Sequence, residues 1–143
     1  MIPLESLRAV RTIITHRDCP DGTASALILH DCLPDAEIRF IQHGTPEHVG
    51  LEAQPGMLFC DFSPPAARAQ EFRDVDAIVL DHHRTARELV ESFPLHVFAD
   101  EATEPGVSGA MLAYRVWSLL SPLSIFVPCL ACGGTGEDSV KVE

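Results

Sequence analysis

The sequence predicts one α/β domain, residues 1–143, with a doubly wound, mainly parallel five-stranded sheet and helices on both faces. Short apolar runs rich in β-branched residues alternate along the chain with longer segments of helical periodicity. The connections are short, and right-handed crossovers then place helices on both sides of a parallel sheet. Hydrophobic residues make up 46% of the chain, which is enough for a folded core.

Five apolar runs predict strands, and the segments between them predict helices. The strands are residues 11–15, 37–41, 57–60, 77–80 and 95–99. The helices are residues 23–32, 63–73, 85–93 and 107–120. Pro20 is placed to open the first helix, and Ser63, followed by two prolines, is placed to cap the second. Residues 42–55 carry glycine and proline and predict a loop or a short helix.

Four short clusters of acidic and histidine residues, beginning at His16, Cys60, Asp81 and Gly136, each lie where an apolar run ends. Because the C-terminal ends of parallel strands share one edge of a sheet, we expect these side chains to converge there. Neighbouring buried carboxylates repel each other unless cations neutralise them, and carboxylate with imidazole suits Mn²⁺, Fe²⁺ or Zn²⁺. The pattern therefore predicts a polynuclear metal site, against the simpler interpretation that these are solvated turns.

Charge and hydropathy argue against two classes of partner, long nucleic acids and membranes. The net charge of −11 opposes broad binding to a phosphate backbone, although two divalent ions would offset four of those charges. The chain has no run of eighteen apolar residues and no apolar core of a signal peptide near its start. We therefore expect a soluble, cytoplasmic protein that does not bind membranes.

The five cysteines are odd in number and scattered, so we expect reduced thiols. Cys129 and Cys132 form half of a zinc-knuckle pattern, but no second pair completes it within the chain. We interpret them as thiols in an apolar segment unless two chains share a zinc ion. Four further histidines receive no functional role: His30, His43, His48 and His96.

Four motifs resemble those of the DHH phosphoesterase family: His16-x-Asp18-x-x-Asp21-Gly22, Asp61, Asp81-His82-His83 and Gly-x-Gly-Glu-Asp138. The resemblance covers nearly the whole chain and implies a catalytic domain that holds two divalent ions, Mn²⁺ first, with Mg²⁺ or Co²⁺ as alternatives. Activities in that family include hydrolysis of single-stranded oligonucleotides, cyclic dinucleotides and inorganic pyrophosphate. The resemblance therefore implies a phosphohydrolase but does not fix its substrate.

The resemblance also implies six metal ligands: His16, Asp18, Asp21, Asp61, His82 and Asp138. His16 and Asp18 would hold one ion, Asp21 and His82 the other, and Asp61 would bridge both. The first motif has two residues between its aspartates where many members have one, which makes Asp18 a departure from the usual pattern. Glu137 and then Asp100 are the alternatives to Asp138 as the last ligand.

The implied catalytic residues are His83, which would face the scissile phosphate, and Asp81, which would orient the histidines. Arg17 lies inside the first motif and has a claim on a substrate phosphate. Ser108 and Gly109 open a predicted helix, whose backbone N–H groups would meet phosphate oxygens. The four residues assigned to substrate are therefore His83, Arg17, Ser108 and Gly109.

The chain stops five residues after Asp138, so the family's C-terminal companion domain is expected to be missing. Three interpretations stay open: a fragment, a truncated gene product, and a compact form in which homo-oligomerisation replaces the missing domain. The leading functional hypothesis is a two-metal phosphohydrolase acting on a small nucleotide-type substrate such as a short oligonucleotide or cyclic dinucleotide. The alternatives are a non-catalytic nucleotide-binding or regulatory subunit, and a pocket with one Mg²⁺ like that of receiver domains or haloacid dehalogenases.

Overall fold

The structure is a computed structural model that describes residues 1–121. Five strands form a single parallel sheet: β1 (Thr12–His16), β2 (Glu37–Ile41), β3 (Met57–Cys60), β4 (Ile78–Asp81) and β5 (His96–Phe98). Six helices accompany them: α1 (Leu4–Arg8), α2 (Pro20–Cys32), α3 (Pro46–Val49), α4 (Ala69–Asp74), α5 (Arg87–Glu91) and α6 (Gly109–Leu120). The predictions for Cys129, Cys132, Glu137 and Asp138 lie outside the described residues.

The strands are arranged in the order β2-β1-β3-β4-β5, and every neighbouring pair is parallel. The chain builds outward from β1 to β2, returns across β1 to β3, and then continues in the opposite direction. A change of direction of this kind opens a crevice at the C-terminal ends of the two strands beside it, here β1 and β3. The predicted doubly wound α/β fold is confirmed.

The sheet separates two hydrophobic cores, because alternate strand residues point to opposite faces. One core joins Ile13, Leu58 and Leu80 to helices α1, α2 and α6. The other joins Ile14 and Phe59 to the helices on the opposite side, α4 and α5. Strands β3 and β4 are buried along their whole length, as expected of central strands in a parallel sheet covered on both sides.

The segment after β3 departs from the sequence prediction. Ser63 does not cap a helix: a 3₁₀ turn begins at Ala66 with Pro65 before it, and α4 begins only at Ala69. The physical reason is that a residue preceding proline is disfavoured in the helical conformation, so Ser63 and Pro64 stay outside the helix. The side chain of Ser63 is buried and donates a hydrogen bond elsewhere, as described below.

Strand register brings three side chains of the predicted site level with one another. Thr15 of β1 pairs with Cys60 of β3, which in turn pairs with Leu80 of β4. The next residue along each strand is therefore His16, Asp61 or Asp81, and all three lie at the C-terminal edge of the sheet. Among residues 1–121, no helix has the length and apolar character that crossing a lipid bilayer requires.

Candidate metal centre

Asp61 lies at the middle of the candidate centre, at the crevice between β1 and β3. Its side chain is 1% exposed, and its backbone adopts a left-handed conformation with φ of 58°. Aspartate tolerates this region better than most residues, but a non-glycine residue held there at a strand end is uncommon and marks a constrained turn. The turn holds the carboxylate of Asp61 at the edge of the sheet, where residues from three other segments meet it.

His82 lies between the carboxylates of Asp61 and Asp21. Its Nε2 atom lies 2.9 Å from Oδ1 of Asp61 and 3.2 Å from Oδ2 of Asp21. The hydrogen bonds to Asp21 and Asp61 raise the pKa of His82 to about 10, although its partial burial opposes the shift. In the metal-free protein, an imidazolium therefore lies between the two carboxylates and neutralises part of their charge.

Asp21 links helix α2 to helix α6. Its two carboxylate oxygens accept hydrogen bonds of 2.7 Å from the backbone N–H groups of Gly109 and Ala110, at the start of α6. Burial by itself raises the pKa of Asp21, but the hydrogen bonds from His82, Ala110 and Gly109 outweigh it, and the pKa is lowered. Asp21 is therefore ionised at neutral pH.

Two glycines allow the close packing that this arrangement needs. A Cβ atom on Gly109 would lie 2.4 Å from Cβ of Asp61, and one on Gly22 would lie 2.3 Å from the carbonyl oxygen of His16. Both distances are far inside van der Waals contact, so a side chain at either position would push the helix away from the sheet. Gly22 and Gly109 thus bring the first turns of α2 and α6 against the strand ends.

His83 is oriented by Asp81, which is 1% exposed. Oδ1 of Asp81 accepts hydrogen bonds from Nδ1 of His83 at 2.6 Å and from the backbone N–H groups of His82 and His83. Its other oxygen accepts a hydrogen bond of 2.5 Å from the hydroxyl of Ser63. Burial favours a raised pKa for Asp81, but the hydrogen bonds from His83 and Ser63 prevail and lower it. The hydrogen bond from His83 to Asp81 in turn raises the pKa of His83.

His16 and Cys19 approach Asp61 from the turn after β1. One ligand atom from each of His16, Cys19 and Asp61 can be chosen so that all three lie within 4.8 Å of one another. The thiol of Cys19 donates a 3.5 Å hydrogen bond to Oδ2 of Asp61. The buried Nδ1 atom of His16 has no hydrogen-bond partner within the described chain. Asp18 does not join this group: it is exposed and has a left-handed backbone, with φ of 54°.

We call the residues Asp21, Asp61 and His82 the β4 side of the centre, and His16, Cys19 and Asp61 the β1 side. Asp61 belongs to both. On the β1 side, the His16 ring also lies beside the rings of His43, from the loop after β2, and Phe62, from the turn after β3. The His43 ring stacks on Phe62 at 4.0 Å between centroids, and the rings of His16 and His43 are 5.6 Å apart.

The remaining predicted residues already have partners of their own. Arg17 forms an exposed ion pair of 2.8 Å with Glu47 of α3. Ser108 caps α6 and accepts a hydrogen bond from the N–H of Met111, while the N–H of Gly109 donates to Asp21. Asp100 accepts hydrogen bonds from the backbone and hydroxyl of Thr103 and belongs to no group of potential ligands in residues 1–121. Their assignments to substrate or metal stay predictions.

Sequence reasoning misses one residue of the centre, Cys19, and two residues close to it, Ser63 and His48. From sequence alone, Cys19 is one of five scattered thiols, Ser63 is a helix cap, and His48 has no role. His48 is buried and lies 3.1 Å, through Nε2, from the carbonyl oxygen of Ser63. The signal for Cys19 was its position beside Asp18 in the first motif; nothing local distinguished the other two from ordinary loop residues.

The donor set fits divalent cations. Imidazole nitrogens and carboxylate oxygens from the end of β1, the start of α2 and the turn after β4 converge around the buried carboxylate of Asp61, and the buried Nδ1 atom of His16 lacks a partner in the described residues. A buried polar atom without a partner carries a free-energy cost that a bound ion would remove. Asp21, Asp61 and His82 on one side, with His16 on the other, are the residues that would hold such ions.

The fold and the centre together define an α/β protein whose ionisable side chains gather at the crevice between β1 and β3. This is the place where open parallel sheets bind their ligands. Comparison with protein-family models and with curated proteins gives no match to the chain. Its function must therefore be argued from the centre itself.

Proposed function

We propose that the protein is a metal-dependent phosphohydrolase that cleaves a phosphoester or phosphoanhydride of a small nucleotide-type substrate. The observation that supports this most strongly is the position of His82, whose Nε2 atom lies 2.9 Å from Asp61 and 3.2 Å from Asp21. These residues come from three separate motifs of the sequence, the same motifs that resemble the DHH phosphoesterases. The proposed cofactor is a pair of divalent ions, Mn²⁺ first.

Asp61 would be shared between the two ions, since it is the residue common to both sides of the centre. Asp21 and His82 would complete the β4 side, and His16 would contribute to the β1 side. When bound, two such ions make a nucleophile from water at neutral pH and neutralise charge on the phosphate. The side chains that hold them need not react covalently with the substrate.

His83 is the residue proposed to contact the scissile phosphate. The hydrogen bond to Asp81 engages its Nδ1 atom, so Nε2 is the atom through which it would donate to a phosphate or leaving-group oxygen. Because Asp81 raises the pKa of His83, the ring keeps the proton that this role requires to a higher pH. The side chain of His83 is 41% exposed, which leaves it accessible to a ligand.

Hydrogen bonds hold the carboxylates of Asp81 and Asp21 in place before substrate binds. Ser63 and two backbone N–H groups fix the Asp81 carboxylate, so the His83 ring is oriented by a group that is itself held on both oxygens. The N-terminal N–H groups of α6 fix Asp21 in the same way. Preorganised polar groups of this kind stabilise a transition state without reorganising during the reaction.

The test is a survey of hydrolysis by the full chain loaded with Mn²⁺. Suitable substrates are a nitrophenyl phosphodiester, inorganic pyrophosphate, a cyclic dinucleotide and a short single-stranded oligonucleotide. We expect turnover of at least one of them, lost on addition of a chelator and in the Asp61→Asn variant. Absence of turnover by protein shown to contain metal contradicts the proposal, and tight binding of a nucleotide in that case would favour a regulatory subunit.

A further inference from the structure

We propose that Cys19 is a metal ligand on the β1 side of the centre, in the place that the sequence motif gives to Asp18. This makes the centre chemically asymmetric, with a thiolate on one side only. The inference rests on the proposed two-ion centre, but not on turnover or on the identity of the substrate.

The first observation is the placement of the donor atoms. One atom from each of His16, Cys19 and Asp61 lies within 4.8 Å of the other two, and the Cys19 sulfur is 3.5 Å from Asp61 Oδ2. One ion can contact donors at such separations after small side-chain adjustments. Imidazole, thiolate and carboxylate are also three of the usual protein ligands of a transition metal.

The second observation explains why Asp18 is not the ligand. The turn after β1 passes through a left-handed residue at Asp18, whose side chain is exposed, while Cys19 is partly buried at the start of α2. Pro20 follows at the first position of α2, and the hydroxyl of Thr15 binds the carbonyl of Gly22, which ties the turn to the strand. The extra residue in the first motif therefore brings Cys19 to the centre instead of Asp18.

The third observation is the unsatisfied nitrogen on the same side. The Nδ1 atom of His16 is buried and has no hydrogen-bond partner among residues 1–121. A thiol that served only as a weak donor to Asp61 would leave this nitrogen without a partner. A cation bound through this nitrogen, the Cys19 sulfur and the Asp61 carboxylate would satisfy the nitrogen and the carboxylate together.

The ligand types indicate the class of metal. Thiolate ligands select softer ions, so the β1 side would prefer Zn²⁺, Co²⁺ or Fe²⁺ to Mg²⁺. The β4 side offers two carboxylates and one imidazole, which suit harder ions such as Mn²⁺. When the ion binds, the sulfur–metal bond replaces the sulfur–hydrogen bond of Cys19, and the proton leaves to solvent.

The experiment is titration of the full chain with Co²⁺, followed by ultraviolet and visible absorption. A Cys19 thiolate ligand gives a thiolate-to-cobalt charge-transfer band in the near ultraviolet. We expect this band in the wild-type protein and its loss in Cys19→Ser, with cobalt bound at least about tenfold more weakly at that position. Circular dichroism of each variant verifies that it is folded.

Three controls assign the band to Cys19. Cys32→Ser replaces a partly buried cysteine at the end of α2, where its thiol bonds to the carbonyl of Leu29, and should keep the band. The double variant Cys129→Ser/Cys132→Ser should keep it as well, and so should Asp18→Asn. If Cys19→Ser fails to fold, loss of the band in Asp18→Asn or in the double variant still overturns the assignment.

The result separates this inference from the proposed function. Cobalt bound to the wild-type protein without a charge-transfer band overturns the ligand role of Cys19, even if the protein hydrolyses phosphoesters. Persistence of the band in Cys19→Ser overturns it too. A band that depends on Cys19, in a protein that turns over no phosphoester, supports the ligand assignment and contradicts the proposed function.

Discussion

The β4 side and the β1 side of the centre share Asp61 but differ in how their polar atoms are satisfied. On the β4 side, Asp21 accepts two backbone hydrogen bonds and His82 contacts both carboxylates. On the β1 side, the Cys19 thiol makes one long hydrogen bond, and Nδ1 of His16 lacks a partner in the described residues. The β4 side is therefore balanced without metal by an imidazolium, whereas the β1 side gains a missing partner when a cation binds.

Substitution of Asp61, which belongs to both sides, should have the largest effect on hydrolysis and metal content. Asp61→Asn removes the shared negative charge, and we expect hydrolysis to fall at least about 100-fold, with fewer equivalents of tightly bound Mn²⁺. Asparagine tolerates the left-handed backbone at this position, so the substitution tests charge and not strain. Turnover and elemental analysis measure the two effects.

Asp76→Asn is the matched control for this substitution. Asp76 has a similar left-handed φ of 55°, but it is exposed and precedes β4 at the opposite edge of the sheet. The control should keep wild-type turnover and metal content. If Asp61→Asn behaves like Asp76→Asn, the two sides do not share Asp61 as a ligand.

The β4 side should bind metal in competition with a proton. The pKa of His82 is raised from 6.5 to about 10, so the ring must lose its proton before its nitrogen can bind an ion. Affinity for Mn²⁺ at this side should rise by about tenfold per pH unit below that value. Calorimetry in two buffers of different ionisation enthalpy should detect one proton released from this side, in addition to the one that Cys19 releases, and His82→Gln should abolish only the former.

The raised pKa of His82 also predicts that the metal-free fold becomes less stable as the pH rises, whereas metal affinity increases. Because the pKa of His82 is higher in the folded protein, its charged form stabilises the fold fully below pH 6.5, and this contribution is lost as the pH rises towards 10. Urea unfolding in the presence of a chelator measures the effect. His30→Gln, which replaces an exposed histidine of α2, should leave both pH trends unchanged.

Gly109→Ala should disturb both sides through packing. The new Cβ would lie 2.4 Å from Cβ of Asp61, so either α6 or the Asp61 turn must shift. We expect a loss of about 1–3 kcal/mol in the free energy of unfolding, together with weaker metal binding. Ser118→Ala, on the exposed surface of the same helix, is the control, and an unchanged Gly109→Ala protein would mean that α6 and Asp61 are not in close contact.

Ser63→Ala should have the smallest effect of these substitutions. It removes one of the donors to the buried carboxylate of Asp81, which keeps its bonds to His83 and to the backbone, so we expect a loss of about 1 kcal/mol. The pKa of Asp81 is lowered in the folded protein, so its stabilisation is lost as the pH falls. Without Ser63 the pKa of Asp81 in the folded protein should be less lowered, so acid unfolding should have its midpoint at a higher pH.

The control for this substitution is Ser92→Ala, which removes an exposed hydroxyl just after α5. It should leave the acid unfolding curve near that of the wild-type protein. A Ser63→Ala curve that coincides with the control would show that the hydroxyl does not support Asp81.

The fold could be predicted from sequence because its strands are strongly patterned. Residues 37–41 and 57–60 are strands with the predicted bounds, and the other three differ by one residue at either end. Helix α1 was not predicted, since five residues give too little periodicity to recognise. The edge positions of β2 and β5 could not be predicted, because strand order depends on packing between distant segments.

The centre could be predicted in part. Asp61, His82 and Asp21 meet as expected because parallel strand ends share one edge of the sheet. Spacing along a tight turn does not say which of two neighbours points inward, and the family resemblance implies Asp18 without considering Cys19. Ser63 has the local sequence of a helix cap, but the charge of a distant carboxylate decided its partner.

The level pairing of Thr15, Cys60 and Leu80 also limits how relatives of this protein can vary in length. One residue inserted within β3 would displace Asp61 by about 3.3 Å and reverse the faces of every side chain beyond it. Insertions and deletions should therefore be accepted in the loop of residues 52–55, which is mostly exposed and lies before β3, and rejected inside the strands. A library of single-residue insertions, scored for folding, would map that boundary directly.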